Sequence, residues 1–347
     1  MVYIYNLYIY MSLRSSTFVR TQHTVNCLTV RRIHQGLFEM LLNKVKTLWG
    51  VADSHDPAKW DALFRRIKGD GFSFVESISL TLMADPALFV SLLTKHELGL
   101  VIQVHTAGGY LENGSYIYCS SCDVDVHLAS LRKQLTEALQ LGAVLVNCHS
   151  GHDSWDTVRA SEYFSMALKI EEELLVGAYS GVLVVHETHR QRLLHSPYQT
   201  RDILLRPELS KLKINADLSH WVCVCEHVFD ASEPRDCWWP EVLELVAAHC
   251  HFIHARFGHA EGPQIYDPRT PTVWDAEITA HLLWWQTIWR SQQARGCSVA
   301  FVEAEHGPGP YQVWTVPEHS PDSDKNEELW QINNYVIARV DEAFRKK

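Results

Sequence analysis

The sequence predicts an α/β protein built as one (β/α)8 TIM barrel, a single domain over residues 39–347 behind an N-terminal extension of residues 1–38. Three observations carry this expectation. The chain has 347 residues, room for a large core without disulfide staples. Past the extension, short β-branched runs alternate with longer stretches of helical period, as a parallel sheet with crossover helices requires. No GxGxxG follows the first strand, so an open doubly wound dinucleotide-binding sheet lacks its main signature.

In chain order, the strands are expected at Val45–Asp53, Phe72–Ser79, Gly99–Thr106, Val144–His149, Val182–His189, Leu212–His220, His251–Arg256 and Ser298–Glu305. Amphipathic helices are expected between them, among others at Pro57–Lys68, Asp125–Leu141, Trp155–Leu175, Thr272–Ala294 and Glu327–Phe344. Asp56-Pro57, Asp85-Pro86 and Asp153-Ser154 offer a capping oxygen next to a first turn.

Composition removes several function classes. Apolar residues make up 46% and charged residues 21%, which excludes a mostly disordered chain. A net charge of −10 speaks against a nucleic-acid partner. No run is long and apolar enough for a membrane span, so no membrane partner is expected. Nine scattered cysteines fit a reducing compartment, and the expected location is cytoplasmic. Residues 1–38 lack Asp and Glu and carry Arg14, Arg20, Arg31 and Arg32, so a mitochondrial transit segment is the other reading; a dispensable extension is the plainer one. Neither a GxSxG elbow nor a P-loop is present, leaving serine hydrolysis and nucleotide hydrolysis without support. A homo-oligomer is compatible with all of this.

In a TIM barrel the chemistry lies at the C-terminal strand ends. Ionisable residues collect there: Glu76, His105, His149, Glu187, Asp217 with His220, His254 with Arg256, and Glu303 with Glu305. One histidine at a strand end is ordinary packing. Seven of eight strands ending this way would crowd charge into one mouth, at a high desolvation cost without a cation to offset it. Two Glu, an Asp and a His suit one divalent metal ion, Mn2+, Mg2+, Co2+ or Zn2+, in a site with open positions. CSSC at Cys119–Cys122 and CVC at Cys223–Cys225 are weak signals for a thiolate site.

Glu on strand five (HETHR), Asp-x-x-His on strand six (NADLSHW), His on strand seven (HARFGHAEGPQ) and Glu on strand eight (EAEHGPGPY) resemble the xylose isomerase-like TIM-barrel superfamily, in particular its sugar phosphate isomerase/epimerase group. The resemblance covers residues 45–310. It implies Glu187, Asp217, His254 and Glu305 as metal ligands, with Glu305 favoured over Glu303 because it precedes Gly307-Pro308. It also implies Glu187 and Glu305 as the catalytic base and acid, and His220 as a substrate contact. His105, His149 and Arg256 complete the expected substrate-binding set. Trp155, Trp221 and Trp238 are candidates to stack on a sugar, although packing is the commoner role. The implied function is a metal-dependent sugar, sugar phosphate or ketoacid isomerase or epimerase, transferring a proton through an enediolate.

Two departures limit the carry-over. His189 stands where xylose isomerases have a Lys, and Ala260 where the epimerases have an Arg. Two other classes remain. An endonuclease IV-like metal-dependent phosphodiesterase would use much the same ligands, but Asp267-Pro268-Arg269 lacks the histidine of its Asp-x-His pair. A non-catalytic binding barrel is the third.

Overall fold

The computed structural model describes residues 40–77, 85–110, 116–314, 317 and 321–347. The readings of residues 1–38 lie outside the described residues.

Eight parallel strands close into a barrel: β1 (Leu41–Thr47), β2 (Phe74–Ser77), β3 (Gly99–His105), β6 (Leu145–His149), β7 (Leu183–Glu187), β8 (Ile214–Ala216), β9 (Cys250–Ala255) and β10 (Val299–Ala304). β10 pairs with β1 through Leu41↔Val299 to Lys46↔Ala304, which completes the ring. A two-stranded hairpin, β4 (Gly109–Tyr110) with β5 (Tyr116–Ile117), follows β3. Outside the barrel run α1 (Trp60–Gly69), α2 (Pro86–Lys95), α3 (Val124–Gln140), α4 (Thr157–Leu174), α5 (Pro197–Leu204), α6 (Ser219–Val224), α7 (Trp239–His249), α8 (Pro271–Ala294) and α9 (Asp322–Arg345). Among the described residues no helix is long and apolar enough to cross a membrane.

The barrel interior is sorted by height, because alternate residues of each strand point inward. Val45, Val101, Leu145, Val185, Phe252 and Phe301 fill the lower part as a small apolar cluster of their own. Two residues further along each strand the interior turns polar: Gln103 pairs with Asn147, and Glu303 with His254. The strand ends then carry His105 opposite His149 and Glu187 opposite Asn215. The larger core lies between the strands and the helices, where Trp60, Trp221, Trp239, Trp285 and Trp289 are fully buried.

The first strand is displaced from its expected position. It runs over Leu41–Thr47, not Val45–Asp53, because Leu41 to Lys46 find partners along β10 while Ala52–His55 coil into a 3-10 turn. β8 stops at Ala216, and Ser219 and His220 already belong to α6. Asp85 caps α2 as expected, accepting from the Leu88 amide at 3.0 Å. The other two caps shift: α4 starts on Asp156, not Asp153, and α1 starts after Lys59 with no side-chain cap.

Candidate active site

The ends of β7, β8, β9 and β10 bring Glu187, Asp217, His254 and Glu305 to one point, each offering a ligand atom within 4.8 Å of the others. All four are buried. Glu187 accepts from Asn147 Nδ2 at 2.6 Å and Asn215 Nδ2 at 3.3 Å, both through Oε2, while its Oε1 is buried with no hydrogen-bond partner. Burial raises its pKa to about 7.

His254 lies at the hub. Its Nδ1 donates to Glu305 Oε2 at 2.9 Å and its Nε2 donates to Glu76 Oε2 at 3.2 Å. Burial works against a charged ring here, but Glu305, Glu187 and Glu76 outweigh it and raise the pKa well above the ordinary histidine value. Burial likewise opposes the charge on Glu305, yet His254 and Arg256 draw its pKa down to about 2. Glu303, one step lower, points at Glu76 and His254, and burial pushes its carboxyl well above the ordinary carboxylate range. The strand-eight pair therefore splits, with Glu305 at the upper cluster and Glu303 beneath it.

Arg256 reaches into the same cluster. Its Nη2 pairs with Asp217 Oδ2 and lies 3.5 Å from Glu305 Oε2, and its Nε donates to Ser219 Oγ at 3.1 Å. Asp217 Oδ1 in turn accepts from Ser219 Oγ at 2.5 Å. The donor set fits a divalent ion on its own chemistry: three carboxylates and one imidazole converge, and Glu187 Oε1 is left without a partner. The guanidinium is the resident counter-charge, so an ion would share Asp217 and Glu305 with Arg256.

Four histidines form a row along the mouth. Ring centroids are 4.3 Å apart for His105–His149, 4.6 Å for His149–His189 and 3.8 Å for His189–His220. Burial pushes all four pKa values well below the usual histidine range, so the row is neutral. Tyr118 fixes its proton positions. His189 Nδ1 faces the Arg190 carbonyl at 2.5 Å and must carry the hydrogen. The Tyr118 hydroxyl, 2.8 Å from both His189 Nδ1 and His149 Nδ1, then donates to His149. His149 is left protonated on Nε2, which lies 2.9 Å from Glu187 Oε2.

A cavity of ≈ 340 Å³ opens over the cluster, bounded by His105, His149, His189, Arg256 and Glu305, with Trp49 and Tyr311 also in its wall. Three of the four expected substrate-binding residues, His105, His149 and Arg256, thus face it. His220 sits behind, 2.6 Å from Arg256 Nη2, and reaches the cavity only through Arg256 and His189. The three tryptophans take the commoner, packing role. Trp155 and Trp221 are buried with their indole N–H groups on the carbonyls of Cys122 and Leu194, and Trp238 packs on Tyr198 and Phe229. The aromatic wall comes instead from Trp49, Tyr118 and Tyr311 on loops. Asp267 is taken up by Arg269 at 2.8 Å. Cys119, Cys122, Cys223 and Cys225 are free thiols.

The architecture defines a (β/α)8 barrel with an ionisable cluster at its C-terminal mouth. Solved structures share this fold. The IOLI protein with a binding zinc atom is 11% identical, at TM-score 0.54 over 87% of this chain and 99% of that one. D-psicose 3-epimerase with D-tagatose from Clostridium cellulolyticum H10 is 12% identical, at TM-score 0.52 over 87% and 99%. D-allulose 3-epimerase from Methylomonas sp. in complex with D-allulose is 10% identical, at TM-score 0.51 over 89% and 100%. At such identities the likeness establishes the fold. No protein-family profile matches the chain, and no curated protein matches it in sequence.

Proposed function

We propose that the protein is a metal-dependent isomerase or epimerase of a carbohydrate or ketoacid, working by proton transfer at the carbon next to a carbonyl. The observation that carries this reading is the convergence of Glu187, Asp217, His254 and Glu305 within 4.8 Å beneath a cavity of ≈ 340 Å³. A divalent ion held by these four would supply Lewis-acid polarisation of the carbonyl, which stabilises the enediolate formed when the α-proton leaves.

The remaining work falls to side chains of this chain. Glu187, on one side of the cluster, is the carboxylate placed to take the proton. Glu305, across the cluster, is the partner carboxylate for the return step. Arg256 lines the cavity and can donate to the oxygens of a sugar there, while His149, turned toward Tyr118 and Glu187, forms part of the wall. Trp49 and Tyr311, edge to face at 5.1 Å, give an apolar wall for its C–H face and help exclude water. The zinc in IOLI and the sugars in the two epimerases support this assignment.

Incubating metal-loaded protein with ketoses and ketoacids in D2O, followed by NMR, tests the reading. Deuterium should enter the α-carbon of one compound class. A second reading, hydrolysis by a metal-activated water, is favoured by one observation: His149, Glu187 and His189 form another group with ligand atoms within 4.8 Å. Cleavage of an abasic-site duplex without exchange in any sugar would establish that reading instead.

A further inference from the structure

Arg190 stands on the loop after β7, and its side chain lines the cavity beside Glu305, Trp49 and Tyr311. Its guanidinium carbon lies 4.9 Å from the centre of the Tyr311 ring, and the one hydrogen bond of the guanidinium among the described residues is to Cys223 Sγ at 3.9 Å. No carboxylate pairs with it among the described residues.

The other cations of this region are occupied. Arg256 is held by Asp217 and Glu305. Arg192 is fully buried and donates to the carbonyls of Thr106 at 2.9 Å, Gly151 at 3.2 Å and Tyr118. The guanidinium of Arg190, which pairs with no carboxylate among the described residues, is by contrast left facing the space a substrate would fill.

Arg190 is also held in place. Gln191, the next residue, has φ 64, a left-handed conformation that a non-glycine residue keeps only under constraint. On one side the Arg190 carbonyl is bonded to His189, and on the other Arg192 is tied down by its three carbonyls. A cation on a loop pinned at both ends loses little freedom on gripping a ligand. Its planar fork matches two oxygens of a phosphate or carboxylate.

We propose that Arg190 receives a terminal oxyanion of the substrate, so that the site takes an anionic sugar derivative, a sugar phosphate or a keto-sugar acid, in preference to the neutral sugar. The inference rests on the isomerase reading for the word substrate, and it deepens that reading by naming the charge of the compound. The sugars named with the two epimerases, D-tagatose and D-allulose, are neutral, so this charge preference would set the present site apart.

The test is calorimetric binding to the full chain, with and without Mn2+, of inorganic phosphate, acetate, fructose, fructose 6-phosphate and fructuronate. At least one anionic probe should saturate the protein and bind roughly 10- to 100-fold more tightly than fructose, the range for a charge-assisted contact. Phosphate against acetate, and fructose 6-phosphate against fructuronate, tell a phosphate from a carboxylate. Arg190→Gln should abolish the preference, and Arg190→Lys should keep part of it. The inference is overturned if no anion saturates the wild type, if fructose binds as well as its anionic relatives, or if the preference survives Arg190→Gln. Because binding is read and not turnover, the two ideas fail separately. Anion preference without α-proton exchange leaves Arg190 in its role and removes the isomerase. Exchange of neutral sugars without anion preference does the reverse.

Discussion

His254 donates to Glu305 at 2.9 Å through Nδ1 and to Glu76 at 3.2 Å through Nε2, so one ring joins the carboxylate cluster at the mouth to the acidic pair beneath it. In the metal-free protein this ring is an imidazolium, because the surrounding carboxylates outweigh the burial that opposes its charge. A metal ion needs the neutral ring, so binding must expel a proton.

Metal affinity should consequently rise with pH, by about tenfold per unit until the raised pKa of His254 is passed. Titration calorimetry with Mn2+ or Zn2+ in buffers of different ionisation enthalpy reads both the affinity and the released proton. Asp217→Ala and His254→Ala should weaken binding, with activity partly restored by excess ion. Removing His254 also strands three buried carboxylates, at about 3–5 kcal/mol of stability in the metal-free protein.

Glu187→Gln keeps the shape of the side chain and one acceptor oxygen but cannot take a proton. With metal saturating, α-proton exchange should fall by ~10²–10⁴-fold. Near-normal exchange in this variant, followed by NMR in D2O, would remove Glu187 as the base.

Tyr118→Phe takes away the hydroxyl that sets the proton positions of His149 and His189. The rings remain, but His149 is free to present either nitrogen to Glu187. Turnover or metal affinity should drop by about 10–100-fold, as for other groups that orient a site from behind. Circular dichroism should show an unchanged fold, which separates this effect from unfolding.

Acid should destabilise the protein through histidines buried away from the mouth. His281 is fully buried and its pKa is lowered by burial to about 4, against 6.5 for an ordinary histidine; His127 is lowered similarly to about 4. Each stabilises the fold fully above pH 6.5, and that contribution is lost as pH falls toward 4, because the unfolded chain takes up the proton first. Thermal melts from pH 7 to 4.5 should show a falling midpoint, with a shallower slope for His281→Gln.

Much of this was legible in the residues. Short β-branched runs ending in His, Asp or Glu mark most strands to within a few positions, since a strand buried on both faces announces itself locally. β1 escaped that logic. The run Val45 to Asp53 looks like a strand, but hydrogen-bond partners on β10 decide where one forms, and those begin at Leu41. The tryptophans could be assigned only by the fold, for a related reason: Trp155 and Trp221 satisfy their N–H groups on distant carbonyls, a pairing that spacing does not disclose. Trp49, Tyr118, Tyr311 and Arg190 carry no signal in the sequence because they lie on loops with no periodic pattern, and only the closed ring assembles them.

The sorting of the barrel by height has a consequence for how such a molecule can change. Glu187, His254 and Glu303 belong to strands whose register is locked by neighbours on both sides, so their mutual distances are a property of the staves and not of the lid. Trp49, Arg190 and Tyr311 hang on connecting segments above them. The rim aromatics and Arg190 are thus written in passages of the chain separate from Glu187 and His254, and an exchanged rim can meet a new compound while those two keep their spacing below.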